Sequence, residues 1–375
     1  MRIAIDAHSV GTGLGGNESY ATNLVEALAE IDPTNNYTIY VTKREALERF
    51  KDRWPNFSVK STLPHTPLIR IPLTLTGELR RNPVDVLHVQ FTAPPVAPCP
   101  VVVSIHDLSF EHLPQTFMRR SRMQLRMTVR RSARQAAQVL TLTEYVRQDV
   151  TATYGISPEK ITAVPLAAPS WFAPVQDDRE LQRVRQKYGI DGDYILSVGA
   201  IQPRKNLPRL LDAYSVLRRS QPEVKLPKLI LVGKCAWLYD ETLRKIRELG
   251  LTDSVNLTGY VPQVDLPALY SGTRCFIYPS YFEGFGLPPL EAMKCGAPVI
   301  VGNQTSLPEV VGNAAVLVDP FDIGDIAAGL TKVISDSNLR RSLRTRGLER
   351  AKLFDWRETA RKTLAVYEKA AGQRR

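Results

Sequence analysis

Cysteine is scarce. Four residues in 375, Cys99, Cys235, Cys275 and Cys295, lie far apart with no C-x-x-C pair. That spacing excludes a disulfide framework or zinc knuckle and predicts reduced thiols, mostly in the core. The five histidines, His8, His65, His88, His106 and His112, contain no H-x-H or H-x-x-x-H set, so metal-ligand spacing is missing. No run of about 18 apolar residues is present to span a bilayer, and the chain opens on strand-like residues 1–5 instead of a secretory leader. The expectation is a cytoplasmic protein. Acidic residues are absent from one long window, 112–143, which holds Arg119, Arg120, Arg122, Arg126, Arg130, Arg131 and Arg134. Internal repeats and low-complexity tracts are also missing, which leaves an ordinary globular chain: 43% hydrophobic, 23% charged, and long enough for about two domains.

The formal net charge of +11 suits polyanionic partners. On a helix, Met118, Leu125, Val129, Ala133 and Ala136 share one face, and the arginines spread over a broad opposite arc with Met123 and Met127. The segment 119–134 reads either as the solvated face of a core-docked helix or as a patch for anionic lipid head groups. No nucleic-acid partner is expected.

Short β-branched runs at 3–6, 37–42, 84–89, 101–105, 139–143 and 161–164 alternate with helical patterns such as 18–30 and 145–154. Such alternation predicts βαβ units and a parallel sheet. Pro165, Pro169 and Pro174 interrupt the rhythm, which restarts at 194–198 and continues through 228–232, 255–257, 275–278, 299–301 and 315–318. The predicted organisation is an N-terminal Rossmann-like domain 1–168, a linker region 169–190, a second Rossmann-like domain 191–354, and a C-terminal helix 355–375 packing back on the first domain. The fold class is α/β, two doubly wound domains facing a cleft. Open α/β sheets bind ligands at the carboxyl ends of their strands, so the motifs there carry the chemistry.

After the first strand, Gly11-Thr-Gly-Leu-Gly15-Gly16-Asn-Glu18 opens a helix, where glycines let backbone amides approach an anion. The string satisfies G-x-G-x-x-G through Gly11, Gly13 and Gly16, but Lys43 and Arg44 stand where a ribose-binding acid should end the second strand. A dinucleotide oxidoreductase is therefore the weaker alternative to a phosphate or sugar loop. His106-Asp107 at the end of the strand 101–105 is suited to binding or polarising a hydroxyl. Gly199 and the pair Arg204-Lys205, between a strand and a helix, offer close backbone approach and the cations a diphosphate needs. Glu283-Gly-Phe-Gly-Leu-Pro-Pro-Leu-Glu291 places two carboxylates around a helix start. The D-x-D string Asp191-Gly-Asp193 precedes a strand and reads as a turn.

Together, residues 13–18, 104–108, 199–206, 283–291, Leu307-Pro-Glu-Val-Val-Gly312 and Phe354-Asp-Trp356 resemble the retaining nucleotide-sugar glycosyltransferases of family 4, across essentially the whole chain. That family has the GT-B fold and includes bacterial α-mannosyltransferases and sucrose synthase. The resemblance implies that Arg204 and Lys205 bind the donor diphosphate and that Glu283 contacts the transferred sugar. It implies backbone contacts from Phe285, Gly286 and Leu287, a ribose contact from Glu291, and a nucleobase loop at Tyr260-Val261. His106 would lie by the reacting sugar, with Gly15 and Gly16 near the donor phosphate. The implied activity is hexosyl transfer, mannose from GDP-mannose first and a UDP-hexose second, to a glycan or lipid-linked oligosaccharide. The implied mechanism is front-face and needs neither metal nor cofactor, because cations and helix amides can stabilise the departing diphosphate. The arginine-rich segment would hold such an enzyme at the inner face of the membrane.

Overall fold

The computed structural model describes residues 1–13, 15–220 and 226–373. They divide into two units, Met1–Leu166 with Asp355–Arg375, and Ala167–Phe354.

The first unit is built on a seven-stranded parallel sheet: β1 (Arg2–Asp6), β2 (Asn36–Val41), β3 (Phe57–Ser61), β4 (Val86–Gln90), β5 (Val101–Ile105), β6 (Gln138–Thr141) and β7 (Ile161–Ala163), in spatial order β3-β2-β1-β4-β5-β6-β7. β4 and β5 are buried at every position, the signature of parallel strands covered on both faces and the reason their sequences read as continuous Val and Ile runs. The chain leaves β1 in one direction and returns at β4 on the other side, so the topological switch falls between these two strands. The helix Gly16–Ile31 packs against the C-terminal helix Trp356–Gly372. Asp355 caps that helix through the Arg357 amide at 2.9 Å. Thr359 Oγ1 donates to Pro165 O at 2.6 Å, and the buried Tyr367 hydroxyl meets His88 Nδ1 at 2.6 Å.

The second unit has a six-stranded parallel sheet: β8 (Tyr194–Val198), β9 (Lys228–Val232), β10 (Val255–Gly259), β11 (Cys275–Tyr278), β12 (Val299–Gly302) and β13 (Ala315–Val318), ordered β10-β9-β8-β11-β12-β13. Its switch lies between β8 and β11. Within 169–190, read from sequence as a linker region, Asp178–Lys187 is a helix capped by Asp177 and counted with this unit. Arg183 and Lys187 of that helix bind the buried carboxylate of Asp265 at 2.7 and 2.6 Å. A highly charged helix with a single buried Val184 carries little apolar periodicity, so its sequence hides it.

All four cysteines are free; Cys235 is exposed and the other three are buried. Among the described residues no helix is long and apolar enough to cross a membrane. The helix Arg119–Gln135 buries Val129, Ser132 and Ala133. Met118, assigned to the buried face from periodicity, is 61% exposed because it is the N-cap, in extended conformation outside the helical repeat.

Candidate active site

The switch in the second sheet brings two loops together. The loop after β8 carries Gly199 and the short turn Pro203–Lys205, and ends at Asn206 in the left-handed region with φ 59°. The buried Asn206 side chain donates to Pro279 O at 3.0 Å and Pro320 O at 2.6 Å. The Tyr281 amide donates to Arg204 O at 3.0 Å. These bonds pin the β8 loop to the loop after β11, and they set Arg204 and Lys205 against Glu283.

Arg204 Nη1 donates to Glu283 Oε2 at 3.0 Å and to Phe282 O at 2.7 Å. Lys205 Nζ donates to Glu283 Oε1 at 2.7 Å, bonds the Tyr278 hydroxyl and lies 4.6 Å from the Tyr278 ring centroid. Glu283 is buried. Burial alone would push its carboxyl up, but Arg204 and Lys205 outweigh that and hold it below the usual carboxylate range. The carboxylate is therefore ionised and lies between the two cations. Its backbone is equally fixed: the Glu283 amide donates to Thr305 Oγ1 at 3.0 Å and Ser306 Oγ donates to Glu283 O at 2.7 Å.

Gly286, at φ 101°, turns the chain into the helix Leu287–Lys294; a Cβ there would lie 2.7 Å from Leu307 Cδ2. Pro288 and Pro289 follow and carry no N–H, which leaves Leu287 as the donor of the first helical positions. The Phe285 ring is buried and packs edge-on against Phe354 at 5.8 Å. In the same helix Glu291 accepts from the Tyr270 hydroxyl at 3.0 Å; desolvation pushes its carboxyl up to about 7, and that bond offsets only part of the rise.

Gly233 was not identified from the sequence. It follows β9 directly, at φ 148°, and a Cβ on it would stand 2.0 Å from Gly199 O. A second strand-end Val-Gly, Val232-Gly233 beside Val198-Gly199, was the available signal. Tyr260 and Val261 lie beyond β10 and are not joined to the Glu283 cluster: Tyr260 is exposed under the Lys234 ammonium at 4.8 Å, and Val261 is buried.

In the first unit, the glycine loop differs from its sequence reading. The amides of Gly11 and Gly13 donate to the two carboxylate oxygens of Glu18, at 2.9 and 2.7 Å. The anion inferred for those amides is supplied by the chain itself. Gly15 (φ 58°) and Gly16 are exposed, and a Cβ on either would meet nothing within 4 Å. His106, just past β5, is buried between the rings of Tyr20 and Phe91, at centroid distances of 4.6 and 5.1 Å. Its Nδ1 lies 2.8 Å from Asn17 Oδ1. Burial lowers its pKa to about 4, so the ring is neutral at pH 7. The Asp107 carboxylate takes the Ser109 amide and hydroxyl at 2.9 and 2.5 Å, and its charge offsets part of the lowering of the His106 pKa.

Residues 14–168 match the family Glycosyltransferase Family 4, and residues 178–350 match Glycosyl transferases group 1. O-antigen chain mannosyltransferase B of Escherichia coli is 36% identical over 269 residues, 71% of this chain and 70% of its own length. The serotype-specific mannosyltransferase WbdA of the same organism is 33% identical over 59% of this chain, which spans only 27% of that protein. Among solved structures, sucrose-phosphate synthase from Thermosynechococcus elongatus superposes with a TM-score of 0.77 at 19% identity, over 98% of both chains. HepE of Anabaena, in complex with UDP-glucose, gives 0.76 at 18% identity over 97% of this chain and 99% of its own. These structures share the fold alone. The family matches overturn the oxidoreductase alternative, whose glycine fingerprint is in any case occupied by Glu18. With both units matched and an E. coli relative aligned over most of its length, the chain belongs to the family 4 glycosyltransferases, and its activity is glycosyl transfer.

Proposed function

We propose that the enzyme transfers mannose from GDP-mannose to a growing glycan or lipid-linked oligosaccharide, with retention of configuration and without a metal ion. The observation that carries this reading is the Glu283 carboxylate gripped on one oxygen by Arg204 and on the other by Lys205. The two cations neutralise the donor diphosphate, and the Gly286–Leu287 backbone at the helix start adds dipolar stabilisation. A carboxylate engaged by cations on both oxygens is a poor nucleophile. Glu283 therefore serves as a hydrogen-bond acceptor for sugar hydroxyls and an electrostatic stabiliser. The bond from the anomeric carbon to the phosphate oxygen breaks, the bond to the acceptor oxygen forms on the same face, and the acceptor proton passes to the departing diphosphate. Mannose is favoured by the similarity to mannosyltransferases of Escherichia coli. The UDP-glucose held by the Anabaena neighbour supports a UDP-hexose as the second reading.

The test is a panel of GDP-mannose, UDP-glucose, UDP-galactose and UDP-N-acetylglucosamine, with and without EDTA, read as donor binding and slow donor hydrolysis. Selective, EDTA-insensitive turnover of GDP-mannose is expected. Preference for a UDP-hexose would move the donor assignment, loss of turnover in EDTA would sink the metal-free mechanism, and a glycosyl-Glu283 adduct in the mass spectrum would replace front-face transfer by double displacement.

On the same reading, the helix Arg119–Gln135 rests on anionic head groups at the inner face of the membrane. Arg119, Arg120, Arg126, Arg130, Arg131 and Arg134 are exposed, with Met123 and Met127 between them at 64% and 69% exposure. Basic side chains with interleaved apolar ones suit an interfacial site. Arg126 is bound to Glu111 at 2.7 Å, so the cleaner reversal is Arg119, Arg120 and Arg130 to Glu. At about 1 kcal/mol per basic residue near such a surface, the triple variant should bind phosphatidylglycerol vesicles about 100-fold more weakly, with donor hydrolysis unchanged. Equal vesicle binding would identify the face as merely solvated.

A further inference from the structure

His106 has two ring nitrogens in different situations. Nδ1 lies 2.8 Å from the side-chain oxygen of Asn17. Nε2 is buried and has no hydrogen-bond partner among the described residues. Asn17 is itself fixed, because Ser9 Oγ donates to its backbone oxygen at 3.0 Å and it sits in the first turn of the helix Gly16–Ile31. The Tyr20 ring packs on the imidazole at 4.6 Å, and the Tyr20 hydroxyl is anchored on Ser104 Oγ at 2.8 Å, so the ring cannot swing freely. The partner of one imidazole nitrogen decides which nitrogen carries the proton.

We propose that Asn17 is a positioning residue: its side-chain oxygen accepts the His106 Nδ1–H, and this holds the imidazole in the tautomer whose Nε2 is a lone-pair acceptor for a hydroxyl of the transferred sugar. The last clause rests on the proposed function, which puts His106 beside that sugar. The titratable groups facing His106 are Tyr20, His88 and Asp107. Burial keeps Tyr20 protonated and His88 neutral, and Asp107, whose charge favours the imidazolium, bonds the Ser109 hydroxyl, so the hydrogen bond to Asn17 is the contact that selects the tautomer. In this tautomer Nε2 accepts the proton of a sugar hydroxyl, whereas an Nε2–H would reverse the bond and donate to the hydroxyl oxygen.

The test is side-chain nitrogen NMR on the full chain labelled at histidine, without donor. His106 should show a protonated Nδ1 and an unprotonated Nε2 from pH 5.5 to 8. A protonated Nε2 in the wild type would mean that Asn17 presents its amide nitrogen, and the proposal would fail. In Asn17→Leu the two tautomers should mix, and kcat should fall about tenfold while the nucleotide KM moves less than about twofold, as expected for lost orientation without lost binding. Asn17→Asp should keep Nδ1–H but raise the pKa of His106, since a carboxylate favours imidazolium. Its rate should be low at pH 6 and recover by pH 8.5, a recovery Asn17→Leu cannot show. An unchanged tautomer and rate in Asn17→Leu would also overturn the proposal. The spectra need no turnover, so a failed donor assignment and a failed tautomer assignment are separate results.

Discussion

Lys205→Ala is expected to lower kcat/KM for the preferred nucleotide sugar by about 10²–10³, the usual loss when one preorganised charge at a developing anion is removed. Two effects combine. The diphosphate loses an ammonium that is already held in place and largely shielded from water. Glu283 loses its partner at 2.7 Å and keeps Arg204 at 3.0 Å and the Ser280 hydroxyl. Burial, until then outweighed, pulls its carboxyl upward, and the group that should accept sugar hydroxyls spends part of its time protonated. Breaking a buried ion pair from one side also destabilises by roughly 3 kcal/mol, so thermal unfolding must be measured beside the initial rates. Lys205→Arg separates charge from shape: it keeps the cation, but a longer side chain with a planar fork does not reproduce the compact ammonium's position between the Tyr278 ring and Glu283. It should recover stability more fully than rate. A Lys205→Ala enzyme within fivefold of wild type would remove Arg204-Lys205 from the diphosphate site.

What could be read in the sequence follows from the range of the forces involved. The strands were legible because parallel sheets bury both faces and so select short continuous β-branched runs, as in Val101–Ile105. Glu283, Arg204 and Lys205 were legible because the glycines and prolines around them mark strand ends. The contacts that make them a site were not. Asn206 must adopt φ 59° and reach carbonyls 73 and 114 residues away, and Gly233 matters only because Gly199 O lies where its Cβ would be. In the glycine loop, spacing predicted amides facing an anion, and it could not say that Glu18 would supply that anion. Phe285 shows the converse case: its position in the motif was visible, but the partner of its ring, Phe354, is 69 residues on.

Arg70 gives the largest expected effect on stability, and nothing in its local sequence announces it. It lies in the apolar stretch Pro67-Leu-Ile-Arg-Ile-Pro and is fully buried, with Nη1 donating to Asp6 Oδ1 at 2.8 Å across the end of β1. Asp6 also meets His8 Nδ1 at 3.2 Å. Burial would raise the Asp6 carboxyl, but His8 and Arg70 together depress it far below the usual range. Arg70→Met leaves that carboxylate in the core with one partner and should destabilise the first unit by about 3–5 kcal/mol at pH 7. The sign of the pH dependence follows from linkage. In the wild type, a depressed carboxyl contributes stability above its unfolded pKa near 3.8, and this is lost as pH falls toward the folded value. In the variant the folded pKa rises above the unfolded one, so its native state gains from protonation on acidification. The gap between the two proteins should therefore be widest at neutral pH and narrow steadily from pH 7 to pH 4.5 in urea unfolding followed by tyrosine and tryptophan fluorescence. The double variant Asp6→Asn, Arg70→Met removes both charges and should recover most of the loss at pH 7, because a missing pair is tolerated far better than half of one. A gap that stays constant with pH, or a double variant no better than the single one, would mean that Arg70 stabilises the unit by packing and not by charge.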